Sequence, residues 1–185
     1  MFIKPKKSLG QNFLIDRAVL QEIVDTVDVA NKEILEIGPG SGNLTSFILK
    51  KNPKKIYTIE KDDDLALLLK DKFTDEIKII NEDVLKISED KISTEKLTVF
   101  GNLPYNISTE ILSKWIINLD KKTWFENLVL MFQKEVAERI IAEPNTSKYG
   151  RLSILSNWKL NIKKIMDIKP KSFSPKSKVD STLLL

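Results

Sequence analysis

Five short apolar runs, Glu33–Ile37, Ile56–Glu60, Ile77–Ile80, Leu97–Gly101 and Leu128–Phe132, alternate with segments of helical period. Runs that lack a polar face belong in a sheet covered on both sides, and helical crossovers between them make its strands parallel. The helices have their own signals. Asp16 caps one through about Asp28, with Val19, Leu20, Ile23, Val24 and Val27 as its apolar stripe. Asn43–Lys51 follows a glycine turn, and Asp62–Phe73 opens on acidic residues that suit a helix N-terminus. Ser108 caps a helix that turns Ile111, Leu112, Trp115, Ile116 and Leu119 inward, and Gln133–Ala142 forms another that Pro144 ends. Arg151–Asn157 is a short last helix. Trp158–Ile168 and Val179–Leu185 read as two final strands joined by a loop, hence a terminal antiparallel hairpin. The expectation is an α/β, Rossmann-like, seven-stranded and mostly parallel sheet. At 185 residues it forms one domain over 1–185, with 1–30 as an N-terminal segment and helix.

The chain contains no histidine and no cysteine. Imidazole bases, thiolate nucleophiles, disulfides and the usual zinc sites are thereby excluded, and no spacing asks for a metal. No apolar segment approaches the roughly 20 residues that span a bilayer, so a soluble, cytoplasmic protein is expected. With no obvious unpaired apolar stripe, a monomer is expected too. Net charge is only +4, but it is unevenly placed: from Trp158 to Leu185 seven lysines face two aspartates, a net of +5. Lys4, Lys6 and Lys7 open the chain. Two basic ends can make a surface for phosphates, or simply a solvated one.

Ligands of open α/β sheets bind in the crevice at the strands' carboxyl ends. After the first run come Glu36-Ile37-Gly38-Pro39-Gly40-Ser41-Gly42, glycines that allow a tight turn and close approach of a ligand to the backbone. A dinucleotide fingerprint would place its last glycine where this chain has Asn43. Glu36 also sits poorly beside a diphosphate but well near a cation. Glu60 ends the second run, where a carboxylate can accept both hydroxyls of a ribose. Asp83, after the third, can accept from the exocyclic amine of an adenine. S-adenosylmethionine combines a cation, a ribose and an adenine without phosphate, and fits this series. Alone, each acid reads equally well as a helix cap.

The fourth run ends in Asn102-Leu103-Pro104-Tyr105. A nucleobase amine is a poor nucleophile because its lone pair is delocalised into the ring. Two acceptors aimed at its hydrogens, the Asn102 side-chain oxygen and the Leu103 carbonyl, would position it and favour a nucleophilic geometry. Pro104 fixes that carbonyl by restricting the residue before it, and Tyr105 offers a stacking plate worth about 1–3 kcal/mol.

Taken in order, several motifs resemble the ribosomal RNA adenine dimethyltransferase family. They are Ser8-Leu9-Gly10-Gln11-Asn12-Phe13-Leu14, Glu36 to Gly42, Glu60, Asp83, Asn102 to Tyr105, Gln133-Lys134-Glu135-Val136, and Phe173 to Ser181. Tyr149-Gly150-Arg151-Leu152-Ser153 and Asn106-Ile107-Ser108 are most similar to its bacterial small-subunit members. The resemblance implies an S-adenosylmethionine-dependent methyltransferase domain that dimethylates the exocyclic amine of two adjacent adenosines near the 3′ end of small-subunit rRNA, on an immature small ribosomal subunit. By position it implies that Asn12 and Leu14 close over the cofactor, Gly38 and Gly40 pass beneath its methionine part, and Glu60 holds the ribose. Asp83 would hold the cofactor's adenine amine, and Asn102 would bridge cofactor and target base. Phe173 would face Tyr105 across the flipped base. Taken alone, Phe13 reads as a staple for the first helix and Phe173 as a core plug.

Two departures stand out. Ser177 occupies a position where the family usually has proline, and the family's helical C-terminal domain is absent from this chain, which ends in the apolar run Leu183-Leu184-Leu185. Three other readings exist: a resistance-conferring methylase of large-subunit rRNA, a non-catalytic RNA-binding assembly or transcription factor on the same fold, and a dinucleotide-dependent dehydrogenase. Glu60, Asp83 and Asn102 together argue against the second, since a pure binder has no need of all three. The misplaced glycine argues against the third.

Overall fold

The computed structural model describes Lys6, residues 11–119 and residues 123–185. Along them run β1 (Phe13–Leu14), α1 (Arg17–Val24), β2 (Glu33–Ile37), α2 (Asn43–Leu49), β3 (Lys55–Ile59), α3 (Asp63–Phe73), β4 (Lys78–Ile80), β5 (Leu97–Asn102), α4 (Ser108–Asn118), β6 (Phe125–Gln133), α5 (Lys134–Ile140), α6 (Arg151–Lys159), β7 (Lys164–Ile168), β8 (Phe173–Ser174) and β9 (Ser181–Leu184). One-turn 3-10 helices at Val84–Lys86 and Glu89–Lys91 occupy the connection from β4 to β5.

Seven strands form one sheet in the order β4-β3-β2-β5-β6-β9-β7. Pairing is parallel from β4 through β6, and β9 lies antiparallel to both β6 and β7. The expected mostly parallel sheet with a terminal antiparallel pair is therefore present, with the last strand inserted inside the edge. Strand order reverses where β2 meets β5, which opens the crevice at their carboxyl ends.

Period-two alternation divides the core into two layers. Along β6, Leu128, Leu130 and Phe132 face one layer while Val129 and Met131 face the other. The first layer is closed by Ile111, Leu112, Trp115 and Ile116 of α4 and by Ala137 and Ile140 of α5. The second is closed by Leu20, Ile23 and Val24 of α1, Ile48 of α2, and Leu69 and Phe73 of α3. Both faces of the sheet are thus dry, as its unbroken apolar runs require.

Four local expectations change. The Asp16 carboxylate does cap α1, accepting from the Ala18 and Val19 amides at 3.1 and 3.4 Å, but the helix stops at Val24 rather than near Asp28. Thr26 bonds back to the Glu22 carbonyl and Asp28 accepts from the Ala30 amide, side-chain bonds that compete with helix continuation. Ser108 is the first residue of α4 and not its cap; its hydroxyl donates to the Tyr105 carbonyl. The run from Trp158 is helical through Lys159, and its strand begins only at Lys164. Helix α6 packs Leu152 and Leu155 against the first layer, and it adds polar docking bonds: the Ser153 hydroxyl donates to the Arg139 carbonyl and the Asn157 amide to the Ile140 carbonyl. Finally, β1 and β8 form a separate antiparallel pair, Phe13 opposite Ser174 and Leu14 opposite Phe173.

Phe100 is fully buried at the centre of the sheet, between β2 and β6. Phe100→Ala is expected to cost about 3–5 kcal/mol in urea unfolding, the range for emptying an aromatic core site. A loss under 1 kcal/mol would show that the layer collapses around the gap.

Candidate functional site

The carboxyl ends of β2, β3, β4 and β5 converge on one cleft of about 230 Å³. Its first wall is the glycine turn after β2. The Gly38 amide donates to the Ile59 carbonyl at 2.9 Å, tying the turn to β3. Gly40 has φ +57°, and a Cβ there would lie 2.7 Å from a ring carbon of Phe13. Only glycine permits both the turn and this contact. Phe13 therefore covers the turn rather than stapling α1.

Glu60, just past β3, is 6% exposed. One carboxylate oxygen accepts from the Gly40 amide at 3.1 Å and the other from the Asp62 amide at 2.9 Å. Burial pushes its pKa up, and these amides oppose the shift. Each oxygen keeps a lone pair for a further donor. Asp83, beyond β4, accepts from the Leu85 amide at 3.0 Å and pairs with Lys61 at 2.7 Å, and both hold its carboxyl below the usual range. It is a turn cap and a wall of the cleft at once.

Asn102 ends β5 beside the turn; its side-chain amide donates to the Asn12 carbonyl at 3.0 Å. That bond spends the donor end and leaves the oxygen as the acceptor to offer. Leu103 is buried, 1% exposed, and a turn closed by the Ile107 amide on the Pro104 carbonyl follows. The Tyr105 hydroxyl shares a 2.6 Å hydrogen bond with Ser181 at the start of β9, which fixes the direction of its side chain. Asn12 and Leu14 arrive from the N-terminal segment, and the Leu14 carbonyl accepts from the Asn43 side chain at 2.8 Å.

Asn12, Leu14, Gly38, Gly40, Glu60, Asp83, Asn102, Leu103, Pro104 and Tyr105 all line this cleft. Phe173 does not. Pairing opposite Leu14 turns its ring into the core layer beneath α1 and α2, where it is 3% exposed. The expected second face for the base is in this structure a core plug. Lys6 is likewise not offered to phosphates: its ammonium lies 2.7 Å from Asp62 and 2.8 Å from Asp64, which hold its proton tightly. Lys4, Lys7 and Ser8 to Gly10 lie outside the described residues.

Some participants have no signal of their own in the sequence. Asp62, 2% exposed, accepts from Lys6 and, at 2.8 Å, from Gln11, so it clasps the N-terminal segment across the cleft. Val84 and Leu85 supply an apolar wall beside Asp83. Asp62 reads as an ordinary helix cap, which it also is, its carboxylate accepting from the Asp64 amide at 3.1 Å.

A model of the ribosomal RNA adenine dimethylase family matches residues 3–184. The chain belongs to this family. A relative from Pelagibacter ubique, named ribosomal RNA small subunit methyltransferase A, is 73% identical over 185 residues, all of this chain and 71% of its own length. One from the Wolbachia of Drosophila simulans, under the same name, is 44% identical over 98% of this chain and 67% of its own. Among solved structures, a dimethyladenosine transferase from Plasmodium falciparum superposes with TM-score 0.82 at 30% identity, over 93% of this chain and 62% of that one. The 23S rRNA methyltransferase ErmE follows with TM-score 0.77 at 27% identity, over 94% of this chain and 68% of that one. The chain thus spans about two thirds of the length of these family members. Its Rossmann-like methyltransferase fold is theirs, and among its described residues no helix is long and apolar enough to cross a membrane.

Glu36 lies under the glycine turn of this methyltransferase fold, 2% exposed, with the Thr45 hydroxyl donating to it at 2.7 Å. Burial pushes its carboxyl up to about 7, opposed by Thr45 and reinforced by the charge of Glu60. In the unfolded chain the same group ionises near 4.5, so its contribution to stability is complete below that pH and is lost as pH rises to about 7. Glu36→Gln should remove this dependence. Urea unfolding above the window should show wild type losing on the order of 3 kcal/mol relative to the variant, compared with the difference below it. Parallel pH profiles would show that Glu36 ionises freely in the fold.

Proposed function

We infer that this chain transfers methyl groups from S-adenosylmethionine to the exocyclic amine of adjacent adenines in small-subunit ribosomal RNA. The observation behind the reading is the convergence of Glu60, Asp83 and Asn102, at the ends of successive strands, on one cleft floored by the glycine turn. Small subunit rather than large follows the identities: 73% to a small-subunit enzyme against 27% to the 23S enzyme.

The donor set fits the cofactor. Glu60 retains acceptor capacity for ribose hydroxyls, Asp83 does so for an adenine amine, and acidic groups at the strand ends suit a cation better than a diphosphate. Asn12 and Leu14 would cover it, with Gly38 and Gly40 beneath. When bound, S-adenosylmethionine supplies an electrophilic methyl group.

The remaining work falls to the chain's own residues. Asn102, held through its amide by Asn12, presents its oxygen to one hydrogen of the target amine, and the Leu103 carbonyl takes the other. Such paired acceptors draw the amine lone pair out of conjugation with the ring. Pro104 keeps the Leu103 carbonyl in place, and Tyr105, clamped by Ser181, stacks on the extruded base. With no histidine or cysteine in the chain, no imidazole takes the amine's proton; it leaves after methyl transfer, when the nitrogen is strongly acidic. The basic stretch after Trp158 supplies charge for RNA phosphates, on immature small subunits in the cytoplasm, with the protein acting as a monomer.

Asn102→Ala should lower methyl incorporation into immature small subunits by on the order of 10²-fold or more, the usual consequence of losing one transition-state hydrogen bond. Its urea midpoint should stay near wild type. Full activity in the variant would sink the mechanism, and would leave the acceptor role without a residue.

A further inference from the structure

The connection from β4 to β5 carries Asp83, Val84 and Leu85 into the cleft, yet it belongs to neither sheet. Its own backbone bonds are local: the Lys86 amide to the Asp83 carbonyl, the Lys91 amide to the Ser88 carbonyl and the Ile92 amide to the Glu89 carbonyl. Lys61, Lys54 and Trp115 each reach one carboxylate of it from outside, and Lys114 reaches further in. The Lys114 ammonium of α4 donates to the Val84 carbonyl at 2.8 Å, the Ile87 carbonyl at 2.5 Å and a Glu89 carboxylate oxygen at 2.8 Å. An ammonium has three N–H bonds, and here each has an acceptor in the same connection. Trp115, next along α4, donates its indole N–H to that Glu89 oxygen at 2.7 Å. Glu89 is 4% exposed and the Lys114 side chain 22%, so these bonds are shielded in part from competition by water.

We propose that Lys114 is a positioning residue for the adenine end of the cofactor, setting the Asp83–Leu85 wall through the Val84 carbonyl. The proposal rests on S-adenosylmethionine being the cofactor. Lys114 touches neither cofactor nor target base in this arrangement: it does not line the cleft. It stands on the helix that begins just after Asn102–Tyr105, and so couples the base-binding loop to the cofactor wall. If the ammonium is removed, the two carbonyls and the carboxylate lose their common partner and the wall loosens.

Calorimetric titration with S-adenosylmethionine and, separately, with methylthioadenosine, which keeps the adenosine and lacks the amino acid, reads this directly. Lys114→Met should raise both Kd values by a common factor of roughly tenfold or more, the scale of a small misplacement at a binding site. Turnover on small subunits at saturating cofactor should stay within about twofold, since the base-binding loop is intact. Lys114→Arg should recover most of the affinity. Glu89→Gln, which keeps an acceptor for both donors while removing the charge, should shift both Kd values in the same direction by less, and serves if Lys114→Met does not fold. Wild-type affinity in Lys114→Met, or in Glu89→Gln should it be the variant measured, overturns the proposal, as does a fall in turnover with both Kd values unchanged. An absence of heat from wild-type protein overturns the cofactor reading itself, and this proposal with it.

Discussion

The backbone ladder between β2 and β5 pairs Ile34 with Thr98 and Ile37 with Gly101, and the site depends on that register. It places the glycine turn after β2 against the Asn102–Tyr105 loop after β5, so two walls of the cleft share one junction. A shift of one residue would exchange the faces of β5, sending Phe100 toward the layer of α4 and Val99 toward that of α1. Both layers are filled by side chains of fixed shape, so the register is enforced by packing far from the chemistry. In this sense the core is the instrument that aligns the site.

Charge at the cleft is arranged in the same economical way. Four acids, Glu36, Glu60, Asp62 and Asp83, crowd the strand ends, and each is held by a named donor: the Thr45 hydroxyl, backbone amides, Lys6 with Gln11, and Lys61. Most of these bonds leave lone pairs to spare, so the acids are immobilised without being consumed. A pocket built this way is ordered before its ligand arrives, which lowers the entropy lost on binding.

Much of this was legible in the sequence because it follows from strong local patterns. Runs with no polar face announced the parallel strands, and the residues at the ends of those runs line one cleft, as their positions in an open sheet require. Elements that rest on distant or polar contacts were not legible. The β1–β8 pair has two residues per strand and no period to detect. Helix α6 itself was legible, but the polar bonds of Ser153 and Asn157 that help dock it were not. Phe173 carries a motif's aromatic residue but is turned inward by its pairing with Leu14, and Lys6, though exposed, is paired with two aspartates some 56 and 58 residues away. Lys114 looks like any surface lysine of an amphipathic helix until its three acceptors are seen together.

The short β1–β8 pair also bears on when the protein becomes competent. Phe13 and Leu14, which roof the glycine turn, are held by Phe173 and Ser174, and the Tyr105 plate is clamped by Ser181. During synthesis the chain emerges from its N-terminus, so Phe13 and Leu14 wait for partners made about 160 residues later before they can take their place. The cofactor cleft is therefore a late product of folding. A nascent chain that already displays its parallel strands still lacks a roof, and an enzyme of ribosomal RNA made on a ribosome has no finished pocket until almost all of this domain has left it.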